Sequence, residues 1–311
     1  MILITAIIVS LPLLVLTASF ICYRMVFYSP SRKPLGENEY DLPDDDIYKP
    51  YHEKMIKWIK DIRNLNGEDI EITSRDGLTL RGKFYEYKKG APVEIMLHGY
   101  KGNAERDLCG GVQRAFALGR STILVNQRAS GPSDGSTITF GIKERFDAVD
   151  WVKYARERFG SETPLFLTGV SMGAATVMMA AASPELPENL VFILADCGYS
   201  TARDIIQKTV REMKLPSKLI YPFIKLGGRI FGKFNVDEFS PLEAVKNARV
   251  PIIFIHGDSD DFIPYSMSEK LFEVCKTKKE LIPIKGAGHG LAFPSSEEEY
   301  IEALRKFEKS L

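Results

Sequence analysis

The chain has 311 residues, with 41 basic and 41 acidic side chains, so its formal net charge at pH 7 is zero. A balanced charge supplies no field that would favour nucleic acid as a partner, and a hydrophobic content of 45% is ordinary for a globular protein. The four cysteines are scattered and form no metal-binding spacing and no C-x-x-C pair, so we interpret them as free thiols.

The chain begins with a segment that predicts a membrane anchor over residues 1–27. The run MILITAIIVSLPLLVLTASFICY has no charged side chain before Arg24 and is long enough to cross the hydrocarbon core of a bilayer as a helix. A cleaved signal peptide is the alternative, but no Lys or Arg precedes the run and no clear A-x-A cleavage site follows it. The basic residues Arg24, Arg32 and Lys33 all follow the span, which favours a single-pass membrane protein with a cytoplasmic catalytic domain.

Residues 28–66 predict an acidic, proline-containing tether followed by an edge helix. Prolines and like charges between residues 30 and 50 keep such a stretch extended and solvated. The stretch YHEKMIKWIKDIRNL places Met55, Trp58, Ile59 and Ile62 at helical spacing, so a helix is expected to pack on the edge of the domain.

Residues 67–311 predict an α/β domain with a mostly parallel central sheet and helices on both faces. Two alternating segments flank the turn RDG, and six short apolar runs then alternate with helix-periodic stretches. More than fifty residues separate the apolar runs near 190 and 250, so we expect an inserted helical lid at about 198–238. The basic and apolar residues of this lid leave open whether it faces a membrane or packs on the domain. In parallel sheets ligands bind at the carboxyl ends of the strands.

A candidate nucleophile, Ser171, lies in the sequence FLTGVSMGAA, which fits the pattern G-x-S-x-G. It follows the apolar run PLFLTG and precedes a helix-periodic stretch. A serine on such a sharp strand-to-helix turn presents its hydroxyl, and small neighbours at Gly169 and Gly173 let strand and helix approach closely. The alternative is a small residue in a tight turn without a chemical role.

A serine nucleophile needs a histidine base, and the chain has four histidines. His289 lies in the glycine-rich stretch GAGHG just after the last apolar run, where a loop can bring its imidazole over Ser171. His52 is expected at the surface, and His98 is expected to brace a loop. The acid that orients the base should lie between serine and histidine in the chain, where HGDSDDFIP offers Asp258, Asp260 and Asp261. The backbone N–H of Met172 is one expected donor to an oxyanion, because it begins a helix.

These motifs resemble those of the α/β-hydrolase superfamily, including its membrane-anchored and bacterial esterases and peptidases. The superfamily pattern H-G-x-x-D-x-x-[VI]-P implies Asp260 as the acid, with Asp261 as the fallback, and the loop LHGYKGN implies Tyr100 as the second oxyanion donor. Two further stretches match, namely ADCGYS and VNQRASGPSDGS, although the second has Asn126 where the family usually has an acidic residue. The resemblance covers roughly residues 68–311.

The resemblance implies a serine hydrolase that cleaves a carboxylic ester or thioester through the triad Ser171, Asp260 and His289 and an acyl-enzyme. A serine peptidase or aminopeptidase of the same fold is the alternative, followed by a non-catalytic relative that uses the pocket for binding. The implied partner is a small or lipid-like acyl substrate. No metal and no organic cofactor is implied, because no P-loop or dinucleotide fingerprint is present.

Overall fold

The structure is a computed structural model that describes residues 2–30, 36 and 39–311, with side chains described from Ser10 onward. Most elements beyond residue 67 alternate between strand and helix, as the apolar runs predict. The strands are β1 Glu68–Thr73, β2 Thr79–Tyr85, β3 Val93–Leu97, β4 Ser121–Val125, β5 Leu165–Val170, β6 Leu190–Asp196, β7 Ile252–Gly257 and β8 Lys279–Ile284. The helices are α1 Ile2–Val26, α2 His52–Asn64, α3 Ala104–Ala117, α4 Glu144–Phe159, α5 Met172–Ala180, α6 Ala202–Glu212, α7 Ser217–Ile230, α8 Pro241–Ala244, α9 Ser266–Val274, α10 Ala292–Ser295 and α11 Glu297–Lys309.

The eight strands form one sheet in the order β1-β2-β4-β3-β5-β6-β7-β8. The pairs β1–β2 and β2–β4 are antiparallel, and all later pairs are parallel. Because the parallel strands share one direction, their carboxyl ends meet at one edge of the sheet. The register pairs Leu97 with Gly169, and Val170 with Asp196, so the loops after β3, β5 and β6 are neighbours.

Both faces of the sheet are covered by helices, so the predicted fold class is confirmed. The strands β3, β4 and β7 are buried at every residue, which is why they read as continuous apolar runs rather than alternating ones. One core packs α4, α5 and α9 against the sheet through residues such as Val152, Val177 and Leu271. The other core packs α2, α3 and α11 through Ile59, Leu108 and Leu304.

The interval predicted as a lid contains the helices α6 and α7, which lie against each other. The hydroxyl oxygen of Thr201 caps α6 by accepting the N–H of Asp204 at 3.0 Å. The Asp237 carboxylate holds the two helices together, because it accepts the Tyr221 hydroxyl of α7 at 2.6 Å and the Arg203 guanidinium of α6 at 2.7 Å.

The N-terminal helix α1 differs from its prediction. Within the described residues, none of the helices combines the length and the apolar character that crossing a membrane requires. The predicted transmembrane anchor over residues 1–27, and with it the single-pass membrane localisation, is therefore wrong. The end of α1 packs on the domain instead: Tyr23 and Phe27 are buried, and a Cβ added to Gly227 of α7 would lie 2.3 Å from the Ser19 carbonyl oxygen. The flanking residues Arg32 and Lys33, which carried the predicted sidedness, lie outside the described residues.

Candidate active site

The turn between β5 and α5 carries Ser171. Its backbone has φ 57° and ψ −116°, a conformation that costs free energy in any residue with a side chain and that occurs at functional turns. Glycine is required on both sides: a Cβ added to Gly169 would lie 2.1 Å from the Gly173 carbonyl oxygen, and one added to Gly173 would lie 2.2 Å from the Leu97 carbonyl oxygen. The strand β5 and the helix α5 can therefore approach each other closely beside Ser171 only because Gly169 and Gly173 lack a side chain.

His289 lies over this turn, in the loop that follows β8. Gly286 and Gly290, at φ 72° and 65°, give that loop backbone angles that other residues rarely adopt. The His289 Nε2 atom is 2.9 Å from Ser171 Oγ, and its Nδ1 atom is 2.7 Å from Asp260 Oδ2. If the ring is neutral, Nδ1–H donates to the carboxylate and Nε2 accepts the serine hydroxyl, which leaves Nε2 ready to take a proton.

Asp260 follows β7 and is the only one of the three candidate carboxylates in the HGDSDDFIP stretch that contacts His289. Its Oδ1 accepts the backbone N–H groups of Phe262 and Ile263 at 2.9 and 2.7 Å. Burial favours a higher pKa for Asp260, but hydrogen bonds from His256 and His289 outweigh burial and hold the pKa well below its usual range. Asp260 therefore stays ionised beside the imidazole.

The other two carboxylates of that stretch are directed elsewhere. Asp258 Oδ1 accepts the N–H of Gly286 at 2.7 Å, which pins the histidine loop to the loop after β7. Asp261 is exposed, and its backbone carbonyl accepts the ammonium group of Lys208 at 2.6 Å.

The two expected oxyanion donors belong to segments that adjoin Ser171, namely α5 and the loop after β3. Met172 begins α5, so its N–H has no acceptor within that helix. Tyr100 follows Gly99, where an added Cβ would lie 3.4 Å from Ser171 Cβ, so this loop passes directly over the serine. Asp107 of α3 holds the loop in place by accepting the Gly99 N–H at 2.9 Å.

His98 braces the same loop from below, as expected. Its Nε2 accepts the N–H of Gln127 at 3.1 Å, so its Nδ1–H donates to the Gly99 carbonyl oxygen at 2.8 Å. Burial lowers the pKa of His98, which keeps the ring neutral in this role.

Sequence reasoning missed the role of a second histidine, His256, at the end of β7. Its Nε2–H donates to the Ile263 carbonyl at 2.8 Å and lies 3.2 Å from Asp260 Oδ2, while Nδ1 lies 2.6 Å from Ser268 Oγ. Asp260 is thus held between two imidazoles. The histidine that opens the H-G-x-x-D pattern was the available signal, since it lies four residues before the acid.

Cys197, after β6, completes a group with Asp260 and His289 whose potential metal-ligand atoms all lie within 4.8 Å of one another. Burial raises the pKa of the Cys197 thiol well above its usual range, so the thiol stays protonated at neutral pH. Asp260 and His289 already bind each other. We therefore describe Cys197 as a neighbour of the site and do not assign it a role in binding a metal ion.

Comparison with known proteins agrees with this architecture. Residues 95–218 match the family model described as alpha/beta hydrolase fold. The uncharacterized protein YqkD of Bacillus subtilis is 24% identical over 265 residues, which cover 85% of this chain and 86% of that protein. Protein bem46 of Schizosaccharomyces pombe is 23% identical over 224 residues, which cover 70% of this chain and 68% of that protein.

Among solved structures, an esterase of Pyrococcus furiosus superposes with a TM-score of 0.68 at 20% identity, over 92% of this chain and 98% of its own. The ferulic acid complex of Est1E from Butyrivibrio proteoclasticus superposes with a TM-score of 0.57, again at 20% identity, over 78% of this chain and 98% of its own. The fold is that of the α/β hydrolases. Residues 95–218 match the model of that family, and the structural neighbours share its fold over most of this chain.

Proposed function

We propose that the chain is a serine hydrolase that cleaves a carboxylic ester or thioester through an acyl-enzyme. One observation carries this proposal: Ser171, His289 and Asp260 form a continuous hydrogen-bonded chain at the carboxyl edge of the sheet. This is the arrangement in which a histidine can activate a serine while a carboxylate fixes the tautomer of the ring.

In the proposed reaction, Ser171 Oγ bonds to the acyl carbon as its proton moves to His289 Nε2. Negative charge develops on the carbonyl oxygen, where the N–H groups of Tyr100 and Met172 donate to it. The tetrahedral intermediate collapses, and the leaving alcohol or thiol takes the proton from His289. A water molecule then gives a proton to His289 as its oxygen bonds to the acyl carbon. The bond from Ser171 Oγ to the acyl carbon breaks, Oγ takes the proton back from His289, and the acid is released. Asp260 remains ionised and holds the imidazole in place throughout.

Esters and thioesters are the proposed substrates because alcohols and thiols leave more readily than amines. A serine peptidase would use the same three residues, so the triad cannot distinguish an esterase from a peptidase. Only the choice of substrate can. A panel of p-nitrophenyl esters and aminoacyl amides measures this choice directly. Hydrolysis of the amides with kcat/KM above that of the esters would favour the peptidase.

Covalent labelling tests the nucleophile. We expect a fluorophosphonate probe to label the wild-type chain and not Ser171→Ala, with ester hydrolysis falling by about 10⁶-fold in that variant. Ser161→Ala is a matched control, since Ser161 is an exposed turn residue that precedes β5, whereas Ser171 follows that strand. Equal labelling of wild type and Ser171→Ala would exclude Ser171 as the nucleophile.

A further inference from the structure

A cavity of about 240 Å³ opens beside Ser171 and His289 and runs into the domain between the sheet and α3. Near its mouth it is bordered by Gly99, Tyr100 and Phe262. Cavities that enclose drug-sized ligands measure ~300–1,000 Å³. The smaller volume here suits part of a substrate, such as one chain of an ester, rather than a large molecule as a whole.

Away from Ser171 and His289, the lining of the cavity is largely apolar. Its lining there includes Trp58, Met96, Cys109 and Phe293, all of which are buried. The rings of Trp58 and Phe293 stack with their centroids 5.6 Å apart and form one wall of the cavity. Trp58 belongs to α2, the edge helix that precedes the sheet, so this wall comes from outside the segment that matches the family model.

The cavity lining is mostly apolar but includes buried polar groups, of which Arg114 Nε and Asp196 Oδ1 have no hydrogen-bond partner among the described residues. Thr168 Oγ1 and Arg114 each donate to the buried carboxylate of Glu94 at 2.6 Å. A hydrocarbon chain in the cavity therefore meets mostly apolar atoms, and its transfer from water is favourable.

Two consecutive glycines of α3 line the cavity and let the helix approach Trp58 and Met96 closely. A Cβ added to Gly110 would lie 2.7 Å from the Trp58 ring, and one added to Gly111 would lie 2.5 Å from Met96 Sδ. Glycine inside a helix costs about 1 kcal/mol relative to alanine. An alanine at either position would displace Trp58 or Met96, which both line the cavity, and would therefore change its shape.

We propose that this cavity binds the acyl chain of the substrate, and that Gly110 and Gly111 set the chain length accepted. This inference rests on the proposed acyl-enzyme mechanism. The leaving group must depart before water attacks, whereas the acyl group stays bonded to Ser171. A mostly apolar cavity that borders Ser171 suits a hydrocarbon chain on the group that stays. The substrate class is therefore an ester or thioester of a short to medium, unbranched acyl chain.

A chain-length series tests the proposal with two variants that change the cavity in opposite directions. In p-nitrophenyl esters from acetyl to dodecanoyl, we expect Gly111→Ala to lower kcat/KM by a factor that grows with the length of the acyl chain. For the longest ester that wild type accepts well, we expect a fall of about 10- to 200-fold, the usual effect of one methyl group in a hydrophobic pocket. Trp58→Leu, which replaces a lining ring with a smaller side chain and so enlarges the cavity, should move the optimum to longer chains.

Gly228→Ala is the matched control, because it adds the same methyl group to a buried glycine of α7 that does not line the cavity. Fluorophosphonate labelling of every variant reports separately on Ser171. If wild type labels and hydrolyses esters but both cavity variants keep its chain-length profile, the acyl-chain assignment is overturned while the proposed function stands. If wild type neither labels nor hydrolyses any ester, the proposed function itself fails. Should Gly111→Ala not fold, the direction of the shift in Trp58→Leu decides the question.

Discussion

Asp260 illustrates how single side chains control the site. Two backbone amides bind one of its oxygens and two imidazoles lie at the other, all in a position where the side chain is fully buried. The substitution Asp260→Asn preserves the shape of the side chain, but the amide favours the wrong tautomer of His289. We expect kcat for ester hydrolysis to fall by about 10⁴-fold. Unchanged kcat in this variant would show that the imidazole needs no carboxylate.

The lowered pKa of Asp260 also predicts how stability depends on pH. The unfolded chain takes up this proton near the reference pKa of about 3.9, while the folded state resists it to lower pH. The stabilisation from ionised Asp260 is therefore complete above that pH and is lost as pH falls through the folded pKa. We expect the difference in unfolding free energy between wild type and Asp260→Asn to shrink from pH 5 to pH 3. A constant difference would contradict the assignment.

His256 is expected to position Asp260 rather than to touch the substrate. His256→Leu removes the Nε2–H donor, and we expect kcat to fall by roughly tenfold, since one hydrogen bond to a charged group contributes about 1.5–3 kcal/mol. His256→Gln can place an N–H donor near the position of His256 Nε2 and should recover part of kcat. We expect KM to change little in either variant. Equal losses in the two variants, tracking only their thermal stability, would indicate a structural role alone.

At the scale of elements, the end of α1 is joined to the oxyanion loop. The Tyr100 hydroxyl donates to the Val26 carbonyl at 2.6 Å, and the Lys101 ammonium donates to the Met25 carbonyl at 2.9 Å. These carbonyls belong to the last turn of α1, where the helix offers them no N–H partner. The loop that supplies the Tyr100 amide is therefore held partly by a helix that precedes the domain.

This contact predicts that α1 matters for catalysis. We expect Tyr100→Phe to lower kcat several-fold with little change in KM, and removal of residues 1–26 to lower it at least as much. Tyr23→Phe is the matched control, because it breaks a 2.7 Å hydrogen bond between α1 and Thr137 without touching the oxyanion loop. If deletion of α1 leaves kcat intact, the helix has no part in shaping the site.

The same helix shows where sequence reasoning fails at this scale. A run of apolar residues looks alike whether its side chains face lipid or the face of another helix. The partner surface on α7 depends on Gly227, whose missing side chain lets the backbone of α1 approach. The sequence of residues 1–27 carries no information about Gly227, which lies far away in the chain. A prediction from hydropathy alone was therefore wrong.

At the scale of the molecule, the parallel order of the sheet explains why so much could be read from the sequence. Each apolar run ends at the same edge, so Ser171 after β5, Asp260 after β7 and His289 after β8 were expected to meet although they span over a hundred residues. The mostly parallel sheet with helices on both faces is confirmed. The wall that α2 contributes to the cavity was not foreseen, because its contact with Gly110 depends on packing between segments far apart in the chain.

The most direct test of the central claim is to find where the acyl group goes. Wild-type protein is quenched in acid shortly after mixing with a p-nitrophenyl ester, and its peptides are mapped by mass spectrometry. We expect a transient acyl group on Ser171, accumulating in a burst of p-nitrophenol, and neither burst nor adduct in Ser171→Ala. Turnover of the ester by Ser171→Ala at the wild-type rate, or an adduct on a different residue, would contradict the mechanism proposed for this chain.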